Sequence, residues 1–189
     1  TGGIDLSLGG IVALCNVVCV MLMDTESYSG VVFSIIASLV IGLVCGAVNG
    51  GMVTKGKLAP IIVTIATTAI FDGTALLLMP KPGGSVHRGF ARFLTRGLGG
   101  AVPFILFLII LFLVRDITNH RPFGKALRAI GGNENAAYST GIRVVKIKFF
   151  AYCTAGLLCA VAGIFLSAQM NSADATIGKN YAMNAITAT

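Results

Sequence analysis

Two carboxylates lie beside or within apolar stretches of the chain, at Asp5 and Asp72. A carboxylate at membrane depth is costly unless it is paired, hydrated or hydrogen-bonded, so each is a candidate functional group. Asp5 precedes residues 6–9, Leu-Ser-Leu-Gly, and could instead cap the first helix by accepting from free backbone N–H groups. Asp72 is followed by Gly73, and this pair predicts a break near the outer end of its apolar run, in a hydrated cavity or close to the membrane interface.

Uncharged hydrogen-bonding side chains form a second candidate set inside the apolar runs. They suit a pathway for a neutral, polyhydroxylated solute, and they equally suit hydrogen bonds between helices, which is the commoner use. Together with the two carboxylates, the candidate pathway residues are Asp5, Asn16, Asn49, Thr64, Thr67, Thr68 and Asp72.

Catalytic and metal chemistry have little support in the sequence. The five cysteines lie inside apolar stretches without a C-x-x-C motif or a histidine partner, so they are interpreted as small packing residues. His87 and His120 are interpreted as solvated loop residues. Because no His, Cys or carboxylate pair stands at catalytic spacing, no catalytic residue and no metal site is predicted, and an intramembrane enzyme is the least favoured interpretation.

A polar segment at residues 124–142 separates two apolar stretches and is predicted to contain a short docking helix. Gly131 and Gly132 predict a backbone break, Asn133 is a good N-cap, and Gly141 is placed to end about two helical turns. A glutamate in the first turn also suits the helix dipole. The apolar area of Ala-Ala-Tyr at 136–138 is too small for firm membrane anchoring, the rival interpretation. The predicted docking residues are Gly131, Gly132, Asn133, Glu134, Asn135, Ala136, Ala137, Tyr138 and Gly141.

The composition indicates that these residues belong to an all-α, polytopic helical membrane protein. Of the 189 residues, 56% are hydrophobic and 11% are charged, whereas about a quarter of an ordinary soluble domain is charged. Apolar runs longer than about 18 residues are typical of membrane spans. The net charge of +7 does not indicate nucleic-acid binding, because the basic residues lie in loops between apolar runs rather than on one solvated face.

Five spans are predicted within a single transmembrane domain that covers residues 1–189. They occupy residues 8–23, 31–53, 60–79, 101–114 and 149–170, and a loop at 115–148 precedes the last span. At about 1.5 Å per residue, the first and fourth are short for a hydrocarbon core of about 30 Å. Because the chain starts with Thr-Gly-Gly inside a motif and stops without a closing tail, we expect it to be a fragment of a longer protein.

The distribution of Lys and Arg predicts the orientation. Nine basic residues fall in the segments 54–58 and 115–148, and five fall on the other side, at Lys81, Arg88, Arg92, Arg96 and Lys179. That other side also contains the acidic loop 24–26. The positive-inside rule therefore predicts that the 115–148 loop is cytoplasmic, although four basic residues in the predicted 80–100 loop oppose this bias.

Small residues at intervals of four predict close packing of two spans, because helices in lipid associate through close backbone contact. One row is Ser34, Ser38, Gly42, Gly46 and Gly50, and the other is Ala151, Ala155, Cys159, Gly163 and Ser167.

Four blocks of sequence resemble the permease subunits of ABC importers for simple sugars of the ribose, xylose and galactose type. They are TGGIDLSLG at 1–9, GLVCGAVNG at 42–50, PIIVT at 60–64, and FGKALRAIGGNENAA with TGI between 123 and 142. The first and last blocks are the specific ones. The chain departs from the family at Asp72, where a basic residue is common.

The resemblance implies a permease-like helical bundle in a bacterial cytoplasmic (inner) membrane, in contact with the lipid bilayer and paired with a second permease subunit. It also implies an ABC ATPase subunit that binds ATP and Mg²⁺, an extracytoplasmic sugar-binding protein, and no cofactor in this chain. By the same resemblance, residues 131–142 contact the ATPase.

The predicted function is that of a permease subunit which moves a monosaccharide-like solute by alternating access and performs no bond chemistry. ATP binding would close the ATPase, push on residues 133–138, and tilt spans 101–114 and 149–170. The alternative is an ion-coupled secondary transporter or channel that uses Asp5 or Asp72.

Overall fold

The computed structural model describes residues 3–178 and residue 181, so Thr1, Gly2 and Lys179 of the sequence predictions lie outside the described residues. The described part of the chain is all-α, which confirms the predicted fold class. Its helices are α1 (Leu8–Leu22), α2 (Tyr28–Thr54), α3 (Pro60–Leu78), α4 (Arg88–Gly100), α5 (Val102–Asn119), α6 (Pro122–Gly132), α7 (Glu134–Ser139) and α8 (Val144–Met170). Four of them, α2, α3, α5 and α8, are long and apolar enough to cross a membrane.

Helix α1 lies at the centre of the bundle, and α2, α3 and α8 pack around it. Every residue from Gly9 to Val20 is buried, so protein surrounds this helix. A helix that is enclosed in this way is apolar on all sides. Its 15 residues correspond to about 22 Å, which is shorter than a hydrocarbon core of about 30 Å. The non-helical residues 3–6 precede it and continue along α3.

Helices α2 and α8 cross in direct backbone contact at two glycines. A Cβ atom on Gly42 would lie 2.6 Å from the carbonyl oxygen of Gly156, and a Cβ on Gly156 would meet the carbonyl oxygen of Gly42. The predicted row in α2 is buried along its whole length. In α8 the closest contact is made by Gly156, while Ala151 and Ala155 of the predicted row are only half-buried.

Two predicted glycine breaks are wrong. Helix α3 continues through Asp72 and Gly73 to Leu78, and α6 includes both Gly131 and Gly132. A glycine inside a helix costs only about 1 kcal/mol relative to alanine, which neighbouring turns and packing can offset. The backbone instead leaves the helical conformation at Asn133.

We predicted a loop at residues 80–100, and this prediction is wrong for its second half, which forms α4. Residues 97–99, near the end of α4, are non-helical. His87 caps this helix: its Nδ1 accepts a hydrogen bond from the Phe90 N–H at 3.3 Å. The imidazole is 9% exposed, and its ring centroid lies 4.5 Å from that of Tyr28. His87 is therefore a buried structural residue and not the solvated one that we predicted.

The loops gather at two opposite ends of the bundle. At one end, Lys57 and Pro60 line a cavity together with Glu134 of α7 and Val144 of α8. At the other end, Gly83 and Ala173 exchange two backbone hydrogen bonds of 3.0 and 2.8 Å. Within the described residues, the predicted grouping of segment 54–58 with the 115–148 loop agrees with the structure, and Lys179 of the other predicted group lies outside them. Helix α5 packs against α4 and α6 and has no buried residue in the described part of the chain.

Candidate functional site

The non-helical residues before α1 are held by threonines of α3. The Thr64 hydroxyl shares its proton between the Ile4 carbonyl at 3.5 Å and the Ile61 carbonyl of its own helix at 3.4 Å. The Thr68 hydroxyl lies 3.1 Å from the Leu6 carbonyl and 2.6 Å from the Thr64 carbonyl of its own helix. Non-helical backbone at membrane depth is tolerated where protein groups or water satisfy its polar atoms. Two of the predicted pathway threonines therefore have a structural role in supporting this segment.

Thr67 and Asp72 occupy other places on α3. The Thr67 hydroxyl is buried and donates to the Val63 carbonyl of its own helix at 3.0 Å. Asp72 is half-buried, and its Oδ1 faces α1, where a Cβ on Gly10 would lie 3.3 Å from it. Asp72 thus lies at the contact between α1 and α3, about two turns of α3 beyond Thr64.

Asp5, Ser7 and Asn49 form a chain of hydrogen bonds at the start of α1. Asp5 Oδ1 accepts from the Ser7 N–H at 2.9 Å and from the Ser7 hydroxyl at 2.6 Å. Asn49 Nδ2 donates to the Ser7 hydroxyl oxygen at 2.7 Å. Asp5 therefore positions the residue before the helix, which corrects the prediction that it caps the first helical N–H groups directly.

Asn49 contributes a buried acceptor to the same place. The residue is 0% exposed, and its Oδ1 has no hydrogen-bond partner among the described residues. An unsatisfied buried acceptor costs about 1–3 kcal/mol. A donor that reached this oxygen, from water or from a hydroxyl-rich solute, would remove that cost.

A cleft opens beside this hydrogen-bond chain. Gly3 and Asp5 line one side, Ala151, Tyr152 and Ala155 of α8 line the other, and the cavity measures ≈ 100 Å³. The cleft is small in this conformation, and its two walls belong to different elements, the segment before α1 and helix α8.

Asn16 is separate from this group and joins α1 to α8. Its Nδ2 donates to the Ser167 hydroxyl oxygen at 2.8 Å, and its Oδ1 accepts from the Asp174 N–H at 3.0 Å. Asn16 is fully buried and lies about 14 Å along α1 from Ser7. These contacts favour an interhelical role for Asn16 rather than a place in the pathway.

The predicted docking segment lies on two helices, α6 and α7, where the sequence predicted one. Asn133 caps α7 as predicted, because its Oδ1 accepts from the Ala136 N–H at 3.0 Å. Gly141 follows the helix with a φ of +81°. The buried side chains of Ile130, Ala137 and Val144 form a small apolar cluster that packs α6 and α7 on the first turn of α8.

Polar contacts join α6 and α7 to two of the candidate spans. Glu134 Oε2 lies 2.6 Å from Lys148 Nζ, which links α7 to α8. The Arg128 guanidinium in α6 donates to the Thr118 carbonyl and to Asn119 Oδ1 at the end of α5. A force applied to these helices would therefore be transmitted to both α5 and α8.

The outer surface of the docking segment is open. Tyr138 is 75% exposed, and Gly131, Gly132, Asn135 and Ala136 are also exposed. A wide groove of ≈ 590 Å³ runs from Tyr138 past Gly141 to the start of α8. An exposed tyrosine beside a groove is the kind of residue that anchors a protein interface.

The whole chain, residues 1–189, matches the family model described as "Branched-chain amino acid transport system / permease component". The chain belongs to this permease family. It is 41% identical over its whole length to the ribose import permease protein RbsC of Bacillus subtilis (strain 168), of which it covers 59%. No solved structure gives a significant match.

Two further relatives carry related names. The ribose import permease protein RbsC of Escherichia coli (strain K12) is 33% identical, with 100% of this chain and 60% of that protein covered. The autoinducer 2 import system permease protein LsrD of Klebsiella pneumoniae is 30% identical, with 100% and 58% covered. The permease chain thus spans about three fifths of the length of these relatives, and the predicted resemblance to sugar-importer permeases is confirmed.

Sequence reasoning missed three polar residues of the permease that the structure brings into these sites. Ser7 lies within the first motif and was overlooked as a partner of Asp5, although a serine before a helix is a strong capping signal. Ser167 was assigned to close packing only, and Lys148 to orientation only. No local signal could have paired them with Asn16 and Glu134, which lie far from them in the sequence.

Proposed function

We propose that the chain is part of a permease subunit of an ATP-driven importer in a bacterial cytoplasmic membrane, and that the importer moves a monosaccharide-like solute by alternating access. Family membership and relatives named for ribose and autoinducer 2 import support this proposal. The observation that carries it is the exposed helix α7, which is bound to α8 through the Glu134–Lys148 ion pair.

The partners follow from the same proposal. A cytoplasmic ABC ATPase, with its own ATP and Mg²⁺, docks on the exposed surface around Tyr138. An extracytoplasmic sugar-binding protein delivers the solute, and a second permease subunit completes the pathway across the bilayer.

Coupling requires contacts that differ between two states of the transporter. When the ATPase subunits close, α7 is displaced, and α8 moves with it because Lys148 and the apolar cluster around Ala137 hold the two helices together. The other half of α8 packs on α1 through Ser167 and Asn16. Rocking of α8 against α1 would open the small cleft between Asp5 and Tyr152 to a larger solute.

The chemistry near the cleft suits a neutral, hydroxyl-rich solute. Asn49 Oδ1 is a buried acceptor without a partner in the described residues, and the carboxylate of Asp5 is half-buried beside it in the hydrogen-bond chain. Both groups accept hydrogen bonds from hydroxyls. Among the described residues no basic side chain lines the cleft, so these residues offer no countercharge to an anionic solute.

The test uses the intact permease and its Tyr138→Ala variant, each expressed together with the ATPase subunit of the importer. We expect the native permease to retain the ATPase through affinity purification and to take up solute only with ATP. Tyr138→Ala should lose at least about tenfold in ATPase retention, the size of an interface anchor. Phe112→Ala is the matched control, because Phe112 is an aromatic residue of α5 with 63% exposure.

Two outcomes contradict the proposal. Equal ATPase retention by the native permease and the Tyr138→Ala variant would show that α7 is not the docking helix. Solute uptake into vesicles that contain the intact permease but no ATP and no ATPase would favour the ion-coupled alternative that uses Asp5 or Asp72.

A further inference from the structure

Helix α4 carries a row of three arginines on one face. Arg88, Arg92 and Arg96 are spaced by four residues, so their side chains are neighbours along the helix, and all three are exposed. None of them lies within 4.0 Å of a carboxylate in the described residues, where the ion pairs involve other residues. Like charges at this spacing destabilise a helix by about 0.2–0.5 kcal/mol per pair.

The arginine row forms one wall of a groove against the outer end of α8. Thr95 lies in the same wall, and Gln169 and Asn171 at the end of α8 form the opposite wall around a cavity of ≈ 300 Å³. Every polar side chain that lines the groove can donate a hydrogen bond. Asp174, a few residues further along the chain, lies outside the groove and accepts from Thr176. The groove is therefore rich in donors and has no internal anion.

The groove lies where a span leaves the membrane. Helix α8 is apolar and long enough to cross, and the groove is at its last residues. On the neighbouring face of α4, Phe93 is 61% exposed, and Leu98 at the bend before α5 is 77% exposed. An amphipathic helix with arginines on one side and exposed apolar residues on the other is typical of the interface between headgroups and acyl chains.

The predicted orientation makes these charges unusual. Three arginines on the outer side oppose the positive-inside bias, so they need a reason other than topology. Guanidinium groups bind phosphate oxygens through paired, charge-assisted hydrogen bonds. At headgroup depth, the phosphate of a lipid is the anion that is present at high concentration.

We propose that the groove formed by Arg88, Arg92, Thr95 and Arg96 of α4 with Gln169 and Asn171 of α8 binds the phosphate of an anionic phospholipid. The acyl chains lie along Phe93 and the exposed apolar surface of α5. A bound lipid neutralises the arginine row and fastens α4 to α8, which joins the outer ends of the spans. This proposal does not depend on the docking of an ATPase.

The experiment measures lipid retention by the intact permease. The protein is incubated with vesicles of equal parts phosphatidylglycerol and phosphatidylcholine, extracted, and analysed by native mass spectrometry. We expect the native permease to retain phosphatidylglycerol selectively. Arg92→Gln should reduce this retention about tenfold, the equivalent of one charge-assisted hydrogen-bonding group, and the triple Gln variant should abolish the selectivity. Lys81→Gln, which removes an exposed charge outside the groove, is the matched control.

Equal selectivity in the native permease and the triple variant would overturn the proposal. So would displacement of the lipid by excess inorganic phosphate, which would indicate a site for the free anion. If the triple variant retains lipid as the native permease does but no longer co-purifies with an acidic soluble protein, the groove binds a protein partner instead. If the triple variant does not fold, the variants Arg92→Lys and Arg92→Gln are compared with the native permease. Retention of phosphatidylglycerol that falls from native to Arg92→Lys to Arg92→Gln supports the lipid site, and equal retention by all three overturns it.

Discussion

The carboxylate of Glu134 lies 2.6 Å from the ammonium group of Lys148, and this ion pair joins the first residue of α7 to the second turn of α8. The Lys148 side chain is 17% exposed, whereas that of Glu134 is 54% exposed. The pair is thus shielded on the side of the span and open on the side of the solvent. It connects the exposed helix α7, the proposed docking surface, to the apolar helix α8.

Breaking this ion pair should uncouple transport without unfolding the permease. An exposed or partly exposed pair contributes about 0–1 kcal/mol, so Lys148→Met should leave the melting temperature nearly unchanged. We expect it to reduce ATP-dependent uptake several-fold, because only the apolar cluster around Ala137 is then left, among the described contacts, to transmit a movement of α7 to α8. The exchange Glu134→Lys with Lys148→Glu should recover much of the loss. Lys146→Met is the control, since Lys146 has no ion pair in the described residues; a similar loss in this variant would contradict the assignment.

The contact between Gly42 and Gly156 should make stability sensitive to a single methyl group. Gly156→Ala places a Cβ against the Gly42 carbonyl, and overpacking of this kind costs about 1–3 kcal/mol. Gly51→Ala in α2 is the matched control, because a Cβ there meets nothing within 4 Å and alanine favours the helix. Thermal unfolding of the purified permease should show a lower melting temperature for Gly156→Ala and an equal or higher one for Gly51→Ala. Equal destabilisation by both would refute the close contact.

We expect Asn16 to stabilise the fold rather than to contact the solute. Asn16→Leu removes the acceptor of the Asp174 N–H and a donor to Ser167, and a buried group left unsatisfied costs about 1–3 kcal/mol. We expect a clear fall in melting temperature, which Asn135→Leu, at an exposed position of α7, should not cause. If Asn16→Leu keeps the native melting temperature but loses transport, Asn16 belongs to the solute pathway instead.

Two substitutions of Asp5 distinguish the role of its hydrogen bonds from the role of its negative charge. Asp5→Asn keeps an Oδ1 that can accept from the Ser7 N–H and hydroxyl, whereas Asp5→Ala keeps no acceptor. We therefore expect Asn to retain most ATP-dependent uptake and Ala to lose at least about tenfold, the result of leaving the Ser7 N–H and hydroxyl without their acceptor. Uptake assays in vesicles with the complete transporter compare the two. Loss of transport in both variants to the same extent would show that the negative charge itself is needed and would favour ion coupling.

Much of the fold could be predicted because it depends on local properties. Apolar runs of span length predicted the helical membrane protein, and the small residues of α2 identified its buried face. Asn133 was recognisable as a cap because an asparagine satisfies backbone N–H groups three residues ahead of it in the sequence. The helix α4 was missed because its arginines obscured a short amphipathic pattern that only the apolar core beneath Phe90 stabilises.

The candidate sites were predictable only in part, for the same physical reason. Residue types and motifs by themselves predicted a short capped helix at α7 and showed that Asp5, Asn16 and Asn49 are polar groups beside or inside apolar runs. Which of them meet was decided by tertiary packing: α1 is enclosed by three helices, so Asn16 reaches Ser167 across 151 positions of sequence, and Asn49 reaches Ser7 across 42. Hydrogen bonds between helices depend on helix rotation and depth, which are set by close backbone contacts such as Gly42 against Gly156 and Gly163 against the Val12 carbonyl, and not by any local pattern.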